Sequence, residues 1–326
     1  MDGHEPSRAT SAAAPIVVIC GPTASGKSGL ALQLAEHVAC ELVSADSVQV
    51  YRGLDIGSAK PTAAEREAVP HHLVDVADPS EVYDAGRFVE EADAAIAAIR
   101  AQGRLPVVVG GTGMYLRALL YGMIDAPPRD DALRAELQLR VEAEGTPALH
   151  AELVAVDPEA AVRIHPNDAV RVVRGLEVFA LTGRPQSAFF EAHDVKARAP
   201  RYAAVQVALA PARPVLYGRI DARVLDMFAR GWLAEVEALL KAGVDPDAGP
   251  MRTLGYRAIV DFLLGRPGAA RDEAALRVEI QRDHHHYAKR QLTWFRGQRE
   301  LRWFDSRGPA LRELTAAVAV ARGDRR

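Results

Sequence analysis

The sequence predicts an α/β fold: a parallel-sheet core, a helical insertion and a set of C-terminal helices. Three observations predict it. Short apolar runs at residues 16–20, 41–45, 105–109 and 202–209 have the length and the Val/Ile/Leu/Ala content of buried strands. Two of these runs feed straight into glycine-rich turns, 21–28 and 110–113, each followed by an apolar stripe at helical spacing. Between about residue 124 and residue 200 the strand pattern stops and helical periodicity takes over.

The first glycine turn is Gly21-Pro22-Thr23-Ala24-Ser25-Gly26-Lys27-Ser28. It fits G-x-x-x-x-G-K-[ST], a loop whose backbone N–H groups wrap a polyphosphate. Pro15 opens the strand before it, and Leu30, Leu34 and Val38 stripe the helix after it, which is expected to end near Ala39. Strand, loop and helix N-terminus together make an anion site. In such a site Lys27 reaches the terminal phosphate and the Ser28 hydroxyl holds Mg²⁺.

The second strand, 41–45, delivers Asp46-Ser47-Val48-Gln49-Val50-Tyr51 at its carboxyl end. Ligands of open α/β sheets collect there, so Asp46 is placed beside the phosphate loop; a turn-capping aspartate is the alternative. Residues 52–61 read as loop, and His72-Leu73-Val74-Asp75-Val76 as a third strand. Phe88, Ala92, Ala95 and Ile99 stripe a helix ending near Gly103. The strand at 105–109 runs into Gly110-Gly111-Thr112-Gly113, which puts Thr112 at a helix N-terminus facing the same crevice. An N-cap role is compatible with that placement.

Four segments follow: a disordered tail over 1–14, the first part of the core over 15–123, a helical insertion over 124–200, and core completion with C-terminal helices over 201–326. Pro127-Pro128 marks the break. The insertion carries Arg163, His165, Asn167, Arg171 and Arg174 close together, which on pattern alone also fits a solvated helix face. After the strand at 202–209 the remainder reads as helix, with Leu225, Phe228, Trp232 and Val236 on one stripe. Residues 282–302 form a local basic patch with Arg282, Lys289, Arg290, Arg296, Arg299 and Arg302, interleaved with Tyr287, Trp294 and Phe295. Cations mixed with aromatics suit a flexible nucleic acid; aromatics in a core with arginines in water is the competing reading. His284-His285-His286 is not metal spacing, because consecutive helix residues point to different faces.

Bulk properties exclude several classes. Hydrophobic residues make 49% and charged residues 25% of the 326, and the net charge is −3, so any nucleic-acid site must be a local patch. Two cysteines, Cys20 and Cys40, build neither a disulfide framework nor a zinc site and suit a reduced cytoplasmic setting. No apolar run reaches the roughly 18 residues of a membrane span. No self-complementary apolar stripe suggests more than a monomer or a required protein partner.

Taken in order, the glycine loop 21–28, the 46–51 stretch, Asp55-Ile56-Gly57-Ser58-Ala59-Lys60-Pro61, Gly110-Gly111-Thr112-Gly113-Met114-Tyr115, His165-Pro166-Asn167-Asp168, Gly255-Tyr256-Arg257 and Tyr287-Ala288-Lys289-Arg290-Gln291-Leu292-Thr293-Trp294-Phe295-Arg296 resemble the bacterial tRNA dimethylallyltransferases. The resemblance covers about residues 15–304. It implies a P-loop NTPase-like core and a reaction in which a dimethylallyl group moves from dimethylallyl diphosphate to N6 of adenosine 37 in the tRNA anticodon stem-loop, with Mg²⁺ as cofactor. Carried over position by position, it makes Asp46 the proton acceptor. Lys27, Thr112 and Arg223 become the groups that stabilise the leaving diphosphate. Gly21, Thr23, Ala24, Ser25, Gly26, Lys27 and Ser28 become the diphosphate cradle, with Mg²⁺ on Ser28. It implies tRNA contacts from Asp46, Ser47, Val48, Gln49, Thr112, Arg134, Arg171 and Arg174, from Arg252, Gly255, Tyr256 and Arg257, and from Lys289, Arg290, Gln291, Trp294 and Arg296. The family often has Thr-Arg-Gln before the tyrosine that Tyr287 matches; its arginine aligns with His285, which would make a phosphate contact dependent on protonation.

Two other classes use parts of the same pattern. A small-molecule or nucleoside kinase holds ATP in such a loop and needs an apolar strand ending in aspartate for the Mg²⁺ water shell, which Leu73-Val74-Asp75 offers. The strand 105–109 ends in Gly-Gly-Thr instead of an acid, against that reading. A non-catalytic RNA-binding module would keep the basic patch and show no turnover. Read alone the loop suggests ATP; read with Asp46, Thr112 and Arg223 it narrows to the diphosphate of an isoprenoid donor.

Overall fold

The computed structural model describes residues 15–193, 198–298 and 300–322; the tail expected over 1–14 and Arg299 of the basic patch lie outside them. The chain forms two compact units. One takes the chain up to Leu120 and again from Arg201; the other is Tyr121–Pro200.

The first unit is built on a parallel six-stranded sheet. Its strands are β1 (Ile16–Cys20), β2 (Cys40–Ala45), β3 (His71–His72), β4 (Leu105–Gly110), β5 (Ala204–Leu209) and β6 (Arg302–Phe304), in the order β3-β2-β4-β1-β5-β6. In the central strand Val18 lies between Val108 of β4 and Gln206 of β5. β1, β2 and β4 are buried along their whole length, which is why their sequences are near-continuous apolar runs. The exception, Glu41, is buried with its carboxylate held by Arg104 at 3.0 Å and His72 at 2.7 Å.

Helix α1 (Lys27–Ala35) and the last helix of the chain (Arg307–Arg322) cover one face of the sheet. Leu30, Leu34, Ala310, Leu314 and Val318 pack there against Val17, Ile19, Val107 and Val207. The short helix α2 (Ala63–Ala68) starts in a reciprocal Thr62–Glu65 capping box. Helix α3 (Ala85–Ala101) is capped by Asp84 and buries Phe88, Ala92, Ile96 and Ile99 against β2 and β4. Helix α4 (Gly113–Tyr121) follows the second glycine turn. Because every strand is parallel, the turns after β1, β2 and β4 all open at the same edge, where the sheet order switches direction around β1.

The regular elements of the second unit, among its described residues, are all helices: α5 (Asp131–Glu144), α6 (Thr146–Val156), α7 (Pro158–Arg163), α8 (Ala169–Thr182) and α9 (Gln186–Ala192). Leu137, Leu149, Leu153, Val172 and Leu176 form its core. Asp157, fully buried, caps α7 through Ala160 N (3.0 Å) and accepts Ser187 N at the start of α9 (2.9 Å).

The C-terminal part of the first unit consists of α10 (Arg213–Ala229), α11 (Trp232–Lys241), α12 (Tyr256–Leu263), α13 (Glu273–Arg296) and α14, the helix from Arg307. Four expectations need correction. The third strand is two residues long, because Leu73 and Asp75 both take left-handed backbone (φ 60°) that no strand accepts. The helix expected through Trp232 breaks at Gly231, φ 96°, and Leu225 is exposed instead of belonging to the stripe. β6 is a strand in a region read as helix. Helix α1 ends at Ala35 rather than near Ala39, and Cys40 is the first residue of β2.

Candidate active site

The glycine loop folds as its sequence dictates. Ala24 (φ 60°) and Gly26 (φ 98°) take left-handed backbone and turn successive N–H groups toward one side. Lys27 and Ser28 begin α1, and Lys27 Nζ folds back to 3.4 Å from Pro22 O. Above the loop lies a cavity of about 540 Å³ lined by Thr23, Lys27, Ser28, Asp46, Arg223 and Tyr287, among others. Its apolar wall includes Leu42, Val48, Met227 and Leu254. A lining that holds both charged and apolar side chains suits an amphiphilic ligand.

The electrostatics point to an anion. Burial, aided by the Arg223 charge and opposed by Asp46 and Cys20, pulls Lys27 down to about 8. Burial likewise lowers Arg223, against the attraction of Asp46 and Asp226. Two desolvated cations thus face one carboxylate, and a bound anion would restore their stability. Burial and the Asp46 charge raise the Tyr287 phenol. Cys20, beneath the loop, is pushed up to about 12 by burial and is an inert core thiol.

Asp46 is held by its own turn: Oδ1 accepts Val48 N at 2.9 Å and Gln49 N at 3.3 Å. Among the described residues Oδ2 has no hydrogen bond. Thr112 does not line the cavity. Its Oγ1 accepts Ser47 N at 3.1 Å and its N–H donates to Ala45 O at 3.2 Å, so it ties the turn after β4 to the turn after β2. The cradle also differs from expectation: Thr23 N donates to Gln291 Oε1 (2.9 Å) and Ser25 N to Pro22 O (3.2 Å), so neither is left for a phosphate. Gln49 lines the cavity, but both ends of its amide are engaged. Oε1 accepts from Ser44 Oγ at 3.0 Å, and Nε2 donates to Ser58 O (3.1 Å) and Ala59 O (3.2 Å).

The 55–61 stretch is the shelf that fixes Gln49. Glu235 accepts the N–H groups of Asp55 (2.9 Å) and Ile56 (2.6 Å) together with the Tyr256 hydroxyl (2.7 Å). Buried Lys60 holds Asp55 and Asp75 at 2.5 Å each. Arg66 takes the other Asp75 oxygen at 2.7 Å. Burial would raise the Asp75 carboxyl, but Lys60 and Arg66 outweigh it and hold it below the usual range. With both oxygens committed and no place on the cavity wall, Asp75 does not serve as the metal aspartate of a kinase.

The residues expected to touch tRNA divide into groups. Arg134 and Arg174 are both spent on Glu177, whose side chain is 0% exposed: Arg134 through Nε and Nη2 at 2.9 Å each, Arg174 at 2.6 Å. Arg171 is exposed, 3.4 Å from Asp168. Arg252 is exposed, and Arg257 pairs with Asp247 (3.2 Å) and Asp261 (2.8 Å), so neither lines the cavity; Thr253, Leu254 and Tyr256 do. On α13, Lys289, Arg290 and Arg296 are exposed, and Arg290 and Gln291 reach the cavity wall. Phe295 is buried and serves packing, while Trp294 is half-buried and lies against Gly113.

His285 is not placed as a phosphate contact. Its ring stacks on Tyr217 (centroids 4.0 Å apart, planes 4°), and Nε2 lies 2.8 Å from Asp221 of α10. His284 is buried beside the cavity, with Nδ1 2.8 Å from Ile280 O, and burial pulls it down to about 4, so it stays neutral. Among the described residues no cluster of His, Cys, Asp and Glu could hold a metal alone, and no helix is long and apolar enough to cross a membrane. Sequence reasoning missed Glu235, the cavity role of Tyr287 and the paired hydrogen bonds of Gln291 to Thr23 and Gly111. Tyr287 and Gln291 had a signal, their place in the segment 287–296; Glu235 had none.

The chain is similar to known proteins along most of its length. A family model described as IPP transferase matches residues 49–298, and one described as isopentenyl transferase matches residues 14–77. The tRNA dimethylallyltransferase of Anaeromyxobacter sp. (strain Fw109-5) is 52% identical over 288 residues, 88% of this chain and 93% of that protein. The Geobacter sulfurreducens protein of the same name is 47% identical over 290 residues, 89% of this chain and 91% of that protein. Among solved structures, the tRNA isopentenylpyrophosphate transferase of Bacillus halodurans superposes with a TM-score of 0.69 at 37% identity, covering 95% of this chain and 97% of that one. A eukaryotic dimethylallyltransferase captured acting on tRNA gives 0.76 at 27% identity, covering 94% and 79%. The chain therefore belongs to the tRNA dimethylallyltransferase family, with its P-loop NTPase-like fold.

Proposed function

We propose that this chain carries out its family's prenyl transfer to tRNA in one specific form: a dimethylallyl group passes from dimethylallyl diphosphate to N6 of adenosine 37 in the anticodon stem-loop, in the cytoplasm. The observation that carries this reading is one cavity lined by Asp46, Lys27 and Arg223, whose charges act on one another, together with apolar Leu42, Val48, Met227 and Leu254. The N6 lone pair attacks C1 of the donor, the C1–O bond breaks and diphosphate leaves with the bonding pair. The nitrogen's surplus proton goes to Asp46. The exocyclic amine is a weak nucleophile because its lone pair is delocalised into the ring, so a fixed proton acceptor is needed. The Asx turn through Val48 N and Gln49 N supplies that fixity.

Charge gathers on the diphosphate as the bond breaks. Lys27, Arg223 and the N-terminal N–H groups of α1 are already in place and need no reorganisation. Mg²⁺ bound at the Ser28 hydroxyl would supply further neutralisation of the leaving group. The donor set fits such an ion, which takes one or two protein oxygens and completes its shell with substrate phosphate and water; Ser28 is exposed on the cavity wall. The adenine leaves its stack to reach the cavity. Exposed Arg171, Arg252, Lys289, Arg290 and Arg296 are the cations available for the stem-loop phosphates. Mass spectrometry of unmodified tRNA after incubation with dimethylallyl diphosphate and Mg²⁺ tests the reaction. An added C5H8 on the anticodon-loop adenosine is expected. Phosphoryl transfer from ATP without prenyl transfer would overturn it.

A further inference from the structure

Gln291 is buried on α13, 7% exposed, and its amide spans two turns of the sheet edge. Oε1 accepts the backbone N–H of Thr23, the third residue of the glycine loop, at 2.9 Å. Nε2 donates to the carbonyl of Gly111, in the turn after β4, at 2.9 Å. The fit leaves no slack. A Cβ on Gly111 would stand 2.5 Å from Gln291 Nε2, and only 3.6 Å from Lys27 Nζ. Thr23, Gly111, Lys27 and Gln291 thus form one cluster, and Thr23, Lys27 and Gln291 line the cavity. The same helix presents to that cavity Arg290, the residue before Gln291, and Tyr287, one turn earlier.

We infer that Gln291 is a positioning residue for the diphosphate loop and not a tRNA contact. A long amide suits the task, because it accepts from one backbone group and donates to another through two separate atoms. It holds the first half of the loop open around the anion and removes Thr23 N–H from the set of phosphate donors. It also fixes the distance between the loop and the α13 residues that share the cavity. The contact acts on the phosphate side of the reaction, so its loss falls on the donor and not on the nucleic acid. This inference rests on the reading that the loop holds the donor's diphosphate.

The test compares wild type with Gln291→Ala, Gln291→Glu and Gly111→Ala, using calorimetric binding of inorganic diphosphate with Mg²⁺, tRNA binding by filter retention, and steady-state kinetics. Gln291→Glu keeps the length and the acceptor for Thr23 but sets an oxygen against Gly111 O, so it reports even if the alanine variant folds poorly. All three variants are expected to weaken diphosphate binding and raise KM for the donor about tenfold or more, with tRNA Kd held within about threefold. Gly111→Ala acts by displacing the same amide, so adding it to Gln291→Ala should cost nothing further. Diphosphate binding unchanged in Gln291→Glu, or tRNA and donor weakened by the same factor, overturns the inference. Absence of diphosphate binding in the wild type would instead overturn the reading of the loop itself.

Discussion

Arg134 grips Glu177 with two parallel hydrogen bonds, Nε to Oε1 and Nη2 to Oε2, each 2.9 Å. Arg174 adds a third bond at 2.6 Å, and Asp130 N a fourth at 2.8 Å. Burial would raise the Glu177 carboxyl, but these donors outweigh it and hold it below the ordinary range. Two arginines that the family resemblance assigns to tRNA are in this unit the counter-charge of one carboxylate.

Removing that carboxylate should therefore unfold the helical unit more easily. Glu177→Gln leaves two guanidiniums facing an amide, and both are largely covered, with side chains 29% and 23% exposed. A loss of about 3 kcal/mol is expected from breaking one side of such a pair. Urea unfolding of the full chain followed by far-ultraviolet circular dichroism would show an earlier transition. An unchanged midpoint together with weakened tRNA binding in Arg134→Met would return Arg134 to the nucleic-acid interface.

Asp46→Asn separates proton transfer from positioning. Asparagine keeps an oxygen for Val48 N and Gln49 N and so preserves the turn that Asp46 Oδ1 builds. It lacks the basicity to take the N6 proton. The expected result is a fall in kcat of about 10²–10⁴-fold with tRNA affinity little changed. Equal losses in kcat and in tRNA affinity would make Asp46 a binding group.

The parts of the site that were legible in the sequence are the local ones. The glycine loop is eight contiguous residues whose backbone path follows from Gly26 and the helix start, and Asp46 follows from where β2 ends. What depended on distant partners was not legible. Gln291 and Thr23 are 268 positions apart, and nothing in either residue names the other. Glu235 is one of two acids on α11 until the loop at 55–57 folds onto it. The strand expected at 72–76 failed for a similar reason: Lys60 and Arg66 draw Asp75 into an ion-pair cluster on left-handed backbone. β6 escaped notice because three half-exposed edge residues, Arg302 to Phe304, carry no alternation to detect.

Gly255 bears the shelf beneath Gln49. It has φ 80°, and a Cβ there would stand 2.1 Å from the fully buried Trp232 ring. Trp232 in turn packs edge-on against Tyr256, whose hydroxyl binds Glu235. Gly255→Ala combines a left-handed alanine with a clash against a ring that has nowhere to go. A loss of about 2–4 kcal/mol is expected from strain and overpacking together, seen as a lower midpoint in thermal melting. A midpoint unchanged from wild type would show that Trp232 is free to move.

Lys27 makes donor binding depend on pH. In the free protein burial and Arg223 bring it to about 8. A diphosphate in the loop stabilises the ammonium form and raises that value, so binding takes up a proton wherever Lys27 is neutral beforehand. Affinity is full below pH 8 and falls as pH rises through it. The donor's own charge does not mask this, since the last proton of a phosphate ester leaves at about pH 6. Between pH 7 and pH 9 the dissociation constant for dimethylallyl diphosphate should rise about tenfold, the ratio set by one group titrating at the midpoint. Calorimetry at pH 8 in buffers of different ionisation enthalpy should register uptake of about half a proton. Lys27→Arg, charged throughout this range, should flatten the profile whatever it does to absolute affinity. A slope that persists in Lys27→Arg would assign the titration to another group in the cavity.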